Sequence, residues 1–272
     1  MNMKRIIGVL ALVAVIMLPA TSFAADKQTG VYVAPKFVYG LTQMNSPKAS
    51  VGVEGLGQSS MGVGSKTDST FGGSIAIGYD FSKQQGIPLR AELEYAIFSN
   101  AKVQKSFAGT NGDGGIGTPG TWEYNEKYKQ TYGIQTLFLN AYYDFKTDTI
   151  ATPYIGAGLG MGFIKTKGEF NGTWEFDDFL GISALDGEWD VSLNAGSKTV
   201  TNFAWNIGAG VGFDLAENWT LDAGYRFVSL GSVKTKTGTF EFNGVPIDEI
   251  SGHGKTKNLY QHQFALGLRY TF

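Results

Sequence analysis

Charged residues of both signs recur at every second position in otherwise apolar segments of this sequence. Arg90, Glu92 and Glu94 are the clearest case, because apolar residues stand between them. Alternate side chains of a β-strand lie on one face, so these charges share a face. The full set with this placement is Lys36, Arg90, Glu92, Glu94, Asp222, Arg226 and Arg269. Cations and carboxylates placed in this way predict an ion-pair network.

A second recurring feature is the pattern Gly-Thr-aromatic-Glu-aromatic-Asn/Asp, which occurs at residues 120–125, 172–177 and 238–243. Its aromatic members are Trp122, Tyr124, Trp174, Phe176, Phe240 and Phe242. Exposed aromatic clusters mark binding surfaces, so one hypothesis is a candidate loop interaction surface. The alternation within this pattern suggests that the flanking strands continue into these connections as hairpin arms. The alternative is that these side chains pack the arms against each other, since alternate residues of neighbouring hairpins meet on one face. We favour packing.

Signals for catalysis or metal binding are weak. The sequence has no cysteine, which excludes a disulfide scaffold, a thiolate metal site and a cysteine nucleophile. Its two histidines, His253 and His262, have no partner for nucleophilic catalysis at a recognisable spacing. The acidic residues near 177–188 do not have the spacing of a calcium loop. We therefore expect no catalytic residue, no cofactor and no metal.

Eight segments alternate between apolar and small or polar residues, which is the period of a half-apolar strand. They are residues 31–41, 71–81, 88–99, 131–145, 153–164, 202–213, 219–228 and 260–272. Three short connections alternate with four long ones. Short turns at one end and long loops at the other are typical of outer-membrane barrels.

The facing of the charges separates a membrane barrel from a soluble one. A cation on the lipid face costs about 2–4 kcal/mol near the bilayer midplane, so the charges must line the interior. A soluble lipocalin-like barrel has the opposite polarity. The predicted fold is therefore all-β: an eight-stranded antiparallel up-and-down transmembrane β-barrel with long extracellular loops. An eight-stranded barrel is just wide enough for side chains, which favours a luminal plug over an ion path.

The N-terminus predicts export. Lys4 and Arg5 precede an apolar run, Pro19 follows it, and Ser22 and Ala24 are small residues at the positions of a cleavage site. We expect residues 1–24 to be a signal peptide and residues 25–272 to form one β-barrel domain. The formal charge of −2 gives no reason to expect a nucleic-acid partner.

Several stretches resemble the opacity-protein-like family of small outer-membrane β-barrel proteins, which are surface antigens. They are LFLNAYYDF (137–145), TPYIGAGLGMG (152–162), FAWNIGAGVG (203–212), WTLDAGYRF (219–227) and RAELEY (90–95). The last residues, LRYTF, resemble the assembly signal that the barrel-assembly machinery recognises, with Tyr270 and Phe272 as its aromatic positions. The resemblance covers the predicted wall and none of the long loops.

Together these features predict a structural or adhesin-like surface protein in the outer membrane of a Gram-negative bacterium. Its expected partners are outer-membrane lipid, the barrel-assembly machinery and an extracellular or host ligand bound by the loops. A narrow, porin-like channel is the alternative function, and an envelope lipid-modifying enzyme ranks third. The eight segments leave open a ring of ten strands if part of a long loop joins the wall.

Overall fold

The computed structural model describes residues 29–55, 57–111, 121–177 and 186–272. The expected signal peptide lies outside the described residues and stays a prediction. The described residues form fourteen β-strands. They are β1 (Val31–Asn45), β2 (Lys48–Val53), β3 (Gly57–Gly62), β4 (Lys66–Asp80), β5 (Leu89–Phe98), β6 (Ala101–Asn111), β7 (Thr121–Asp144), β8 (Ala151–Asp177), β9 (Gly187–Ala216), β10 (Trp219–Ser229), β11 (Val233–Lys234), β12 (Gly238–Phe242), β13 (Val245–Thr256) and β14 (Asn258–Thr271).

Eight of these strands close into a ring. The antiparallel pairing runs β1–β4–β5–β7–β8–β9–β10–β14 and returns from β14 to β1. Each of the eight predicted segments overlaps one ring strand, in the predicted up-and-down order. The other six strands pair outside the ring, which therefore has eight strands and not ten.

The outer surface of the ring is the predicted apolar face. Its large side chains are strongly exposed, for example Leu139 at 64%, Leu159 at 61% and Phe203 at 67%. A continuous exposed apolar surface of this kind is stable only against lipid. No helix within the described ranges is long and apolar enough to cross a membrane.

The long connections contain the hairpin arms that the repeated aromatic pattern suggests, and the strands extend well past the eight predicted segments. Strand β8 continues to Asp177 instead of ending near Ile164, and β9 begins at Gly187 instead of Asn202. The alternation persists there, but polar residues replace the apolar ones on the outer face, so the strands continue above the lipid. We call residues 101–111, 121–133, 165–177 and 187–199 the arms. The arm of β7 is about 45 Å long, at roughly 3.4 Å per residue.

The interior is layered, which differs from the expected uniformly polar interior. Charged residues fill the half nearer the short turns. The half nearer the long loops holds a buried apolar cluster that includes Val38, Phe98, Ile134, Phe138 and Ile164. Except for Ile164 on β8, these residues continue the inward face of strands that carry the charges. The apolar cluster reaches the arms through Tyr128 and Val103.

Candidate functional site

The centre of the lumen is a group of four charged side chains from three regions of the ring. Lys36 Nζ on β1 lies 2.6 Å from Glu92 Oε1 and 2.7 Å from Glu94 Oε2 on β5. Arg226 on β10 reaches Glu94 from the opposite wall. Glu94 is completely buried. Each strand presents these side chains inward because each stands at an inward position of its alternation.

The remaining predicted luminal charges form two separate pairs nearer the short turns. Arg90 donates from Nε and Nη2 to the carboxylate of Asp144, at 2.8 and 2.9 Å. Arg269 Nε lies 3.3 Å from Asp222 Oδ2. Within the described part of the chain that nitrogen makes no hydrogen bond, so this pair is a charge contact of poor geometry. The structure thus places all seven predicted residues in the lumen, but in three groups.

Two aromatic residues that the sequence analysis did not select complete this layer. The rings of Tyr142 and Tyr154 both lie 4.9 Å from the guanidinium carbon of Arg90. A side chain at Gly156 or Gly210 would overlap these rings. The row of inward glycines therefore provides the space that the tyrosines occupy. The sequence could have indicated Tyr154, because it stands at an inward position in the alternation of its strand.

The lumen is filled at both levels. The cavity beside the charged group measures about 50 Å³, enough for a few water molecules. Above it, Gln261 and Gln263 are fully buried. Gln263 donates to Gln261, and Gln261 donates to Thr42. Members of the apolar cluster lie on both sides of them: Val38 is nearer the short turns, and Met44 and Leu259 are nearer the long loops. The arrangement can hold the wall strands together, and fully buried polar side chains are interspersed with the apolar cluster.

The arms contain the second candidate site. On their inner face, Tyr124, Trp174 and Trp189 lie directly opposite one another on β7, β8 and β9. The ring of Trp174 is 5.9 Å from those of both Tyr124 and Phe176. We call Tyr124, Trp174, Phe176 and Trp189 the aromatic face. All four are partly exposed. Trp189 was missed by sequence analysis because it lies outside the repeated pattern.

The predicted aromatic set divides between surface and core. Phe240 is only 7% exposed and packs against Phe170, with ring centroids 5.7 Å apart. Phe240 belongs to a second apolar cluster, in the arms, which also contains Val191 and Leu193. Phe242 packs against this second cluster. The backbone of Trp122 pairs with Phe176, but its side chain lies outside the described residues.

Two further features surround the aromatic face. The Nε1 of Trp174 donates to Glu126 at 3.0 Å, and burial raises the pKa of that carboxyl although this hydrogen bond opposes the rise. Below, Phe170, Leu193, Phe240 and Met61 line an apolar cavity of about 190 Å³. A cavity of this size accepts one ring-sized apolar group.

The C-terminal residues close the ring. The backbone N–H of Phe272 donates to the carbonyl of Val31 at 2.9 Å. The outward ring of Tyr270 packs on Trp219 at 4.8 Å and on Phe272 at 5.1 Å. The terminal strand thus joins β1 and β10 on its two sides.

Comparisons with known proteins agree with this architecture. The family model described as "Outer membrane protein beta-barrel domain" matches residues 10–272. Outer membrane protein PagN of Salmonella typhimurium is 27% identical over 259 residues, covering 93% of this chain and 94% of that protein. A Rickettsia bellii relative whose name includes the word adhesin is 23% identical, covering 98% of this chain and 99% of that one.

Two neisserial proteins are also similar. Opacity protein opA67 of Neisseria gonorrhoeae is 26% identical over 175 residues, covering 59% of this chain and 69% of that protein. The match to the crystal structure of Neisserial surface protein A covers 91% of this chain and 100% of the neisserial chain, with 17% identity and a TM-score of 0.42. The closed ring, its lipid-facing surface and the family match give one conclusion: this chain belongs to the outer membrane protein beta-barrel domain family and is an opacity-like surface protein of the Gram-negative outer membrane.

Proposed function

We propose that this protein is a non-enzymatic adhesin that binds an extracellular ligand through the aromatic face of its arms. The observation that carries the proposal is the row Tyr124–Trp174–Trp189, which the strand register places at the distal end of the longest strands. Tyrosine and tryptophan are the residues that most often dominate binding energy at interfaces.

The division of the predicted aromatic set supports a surface role for its distal half. Phe240 fills the buried cluster of the arms with Val191 and Leu193, and Trp174 of the aromatic face also packs against that cluster. The distal rings keep part of their surface accessible. The cavity beside Phe240 and Met61 offers a place for one apolar group of the ligand. The names of the PagN, opacity-protein and Rickettsia relatives also support a surface role.

The test is binding of the purified, reconstituted protein to host cells. The variant Y124S/W174S/F176S removes three rings of the aromatic face and should lose at least tenfold in affinity with an unchanged unfolding temperature. The matched control is E123S/N125S/E175S, which changes three residues on the opposite face at the same height and should bind normally.

A second variant separates binding from packing. F240S empties a buried position and should lower the stability of the arms, because loss of a buried phenylalanine costs about 3–5 kcal/mol. If Y124S/W174S/F176S lowers the unfolding temperature as much as F240S does, the distal rings serve packing and the proposal fails.

We infer that the lumen is a plug and not a channel. The ion pairs of Lys36, Glu92, Glu94 and Arg226 cross the lumen, and the apolar cluster lies above them. An eight-stranded barrel is just wide enough for side chains, so a lumen filled by them leaves no room for an aqueous ion path.

We also infer that the barrel-assembly machinery recognises the terminal strand through Tyr270 and Phe272. Both side chains lie at the periplasmic end of the wall, where Tyr270 packs on Trp219. Deletion of Phe272 should reduce the folded, heat-modifiable protein in outer membranes while leaving refolding of the purified chain intact. Equal loss in both assays would place the defect in folding itself.

A further inference from the structure

Five lysines lie together on the outer face of β6, β7 and β8, immediately above the lipid-facing surface. We call Lys102, Lys127, Lys129, Lys165 and Lys167 the lysine patch. They point outward because they alternate with inward, buried residues such as Val103, Tyr128, Ile164 and Thr166. All five are exposed or half-exposed.

The strand register makes the patch compact. Thr131 of β7 stands opposite Lys102 on one side and Lys167 on the other, with Lys129 two residues further along β7. Neighbouring strands lie about 4.8 Å apart and alternate residues about 7 Å apart, so the patch measures roughly 10 by 20 Å. This area suits a ligand with several anionic groups.

One carboxylate organises the patch without neutralising it. Glu169 accepts from Lys129 at 2.9 Å and from Lys167 at 2.6 Å. Hydrogen bonds from these two lysines hold the pKa of Glu169 below its usual value. A second carboxylate, that of Asp68, accepts from the backbone N–H of Lys102 at 2.8 Å. Five lysines against these two carboxylates leave positive charge in excess. Like charges on one face of a sheet are destabilising unless an anion compensates them.

The height of the patch identifies the anion. Phe163 is the last large apolar residue on the outer face of β8, and Lys165 follows two residues later, about 7 Å further out. That distance places the first ammonium groups in the headgroup layer of the bilayer. Phosphate is the anionic group found in that layer.

The charge along the arms has the opposite sign at the far end. Glu123, Glu175 and Glu188 stand opposite one another on the outer face near the tips. Anionic groups are therefore attracted to the base of the arms and repelled from the tips. This polarity favours a ligand anchored in the membrane over a soluble polyanion that approaches from outside.

We propose that the lysine patch binds the phosphate groups of a glycolipid in the outer leaflet. The bound lipid fixes the arms of β6 to β8 relative to the membrane surface. This site is separate from the aromatic face, which lies on the inner side of the same sheet at its distal end.

The experiment uses the full chain in nanodiscs of neutral phosphatidylcholine doped with a bis-phosphorylated lipid A or with the same lipid after enzymatic removal of its phosphates. Binding is measured by native mass spectrometry and by the shift in unfolding temperature. The phosphorylated lipid should bind and stabilise the protein, and the dephosphorylated lipid should do neither. The variant K102Q/K127Q/K129Q/K165Q/K167Q should lose at least tenfold in affinity for the phosphorylated lipid.

Two controls decide the specificity. The variant K48Q/K66Q/K234Q/K255Q/K257Q removes the same number of exposed lysines from other segments of the chain. Lys48, Lys255 and Lys234 also stand opposite one another, but no carboxylate among the described residues forms a salt bridge with any of the five. This variant should retain binding, because no carboxylate fixes the positions of these ammonium groups. E123Q/E175Q/E188Q changes the tips and should also retain it. An equal loss in both lysine variants would overturn the site in favour of diffuse charge attraction. Equal stabilisation by a soluble sulfated polysaccharide would overturn the lipid assignment.

Discussion

Glu94 is the residue whose replacement most directly tests the ion-pair account of the lumen. Its carboxylate is fully buried and lies between Lys36 and Arg226. Glu94→Gln keeps the size of the side chain but leaves both cations buried with Glu92 as the nearest carboxylate. Breaking a buried pair by removal of one partner costs about 3–5 kcal/mol. We expect the free energy of unfolding of E94Q to fall by that amount.

The control for this prediction is Glu169→Gln, which removes a carboxylate from two surface pairs. The Lys129 side chain in one of those pairs is 36% exposed, and exposed pairs contribute about 0–1 kcal/mol. The measurement is equilibrium urea unfolding in lipid vesicles at pH 7, followed by tryptophan fluorescence.

A double variant, E94Q/R226Q, sharpens the test. It removes the uncompensated cation and leaves Lys36 with Glu92, so we expect it to be more stable than E94Q. The reasoning is refuted if E94Q costs no more than E169Q, or if the two changes are simply additive, which would mean that the two residues do not interact.

Three further outcomes follow from the same structure. The reconstituted protein should show no stable porin-like conductance in planar bilayers, because the apolar cluster around Phe98 and Phe138 lies across the lumen, and large steady open-channel currents would contradict this. Burial and the charges of Lys234 and Lys255 hold the pKa of His253 below its usual value. The neutral imidazole therefore contributes stability that is complete above about pH 6.5 and is lost as the pH falls through the lowered pKa. The unfolding temperature of H253Q should not show this dependence on pH. Gly160→Ala should destabilise the barrel by about 1–3 kcal/mol in urea unfolding, because the new methyl group would overlap the Leu137 carbonyl, whereas Gly62→Ala, which meets no atom within 4 Å, should be neutral.

The wall of the barrel could be predicted from sequence because its information is local. In residues 153–164, apolar side chains alternate with glycines, and this period alone assigns each residue to lipid or lumen. The alternation in the repeated aromatic pattern suggested that wall strands continue as hairpin arms, but the limits of β8 and β9 could not be predicted from it. Beyond Ile164 the outer face changes from apolar to polar, and a polar alternation in solution also suits a loop.

The contents of the lumen show the same division. Alternation places Lys36, Glu94 and Arg226 on inward positions, but it does not say which charges meet. The pairing depends on the stagger between strands that are far apart in sequence, and it separates Arg90 with Asp144 from the central group. The luminal plug was predicted from barrel size, while its apolar upper layer was not.

By itself, the sequence determined eight wall segments, their order and the face that meets lipid, because these depend on a period of two and on the length of the connections. The pairing of the strands then excluded a ring of ten. Only the tertiary structure decided how the long connections are used. Pairing of β12 with β9 buried Phe240, while the register of β7, β8 and β9 left Tyr124 and Trp174 partly exposed. The register of β6, β7 and β8 aligned the lysine patch. These outcomes differ for members of one repeated motif because burial depends on which strand covers a residue, and that neighbour is distant in the sequence.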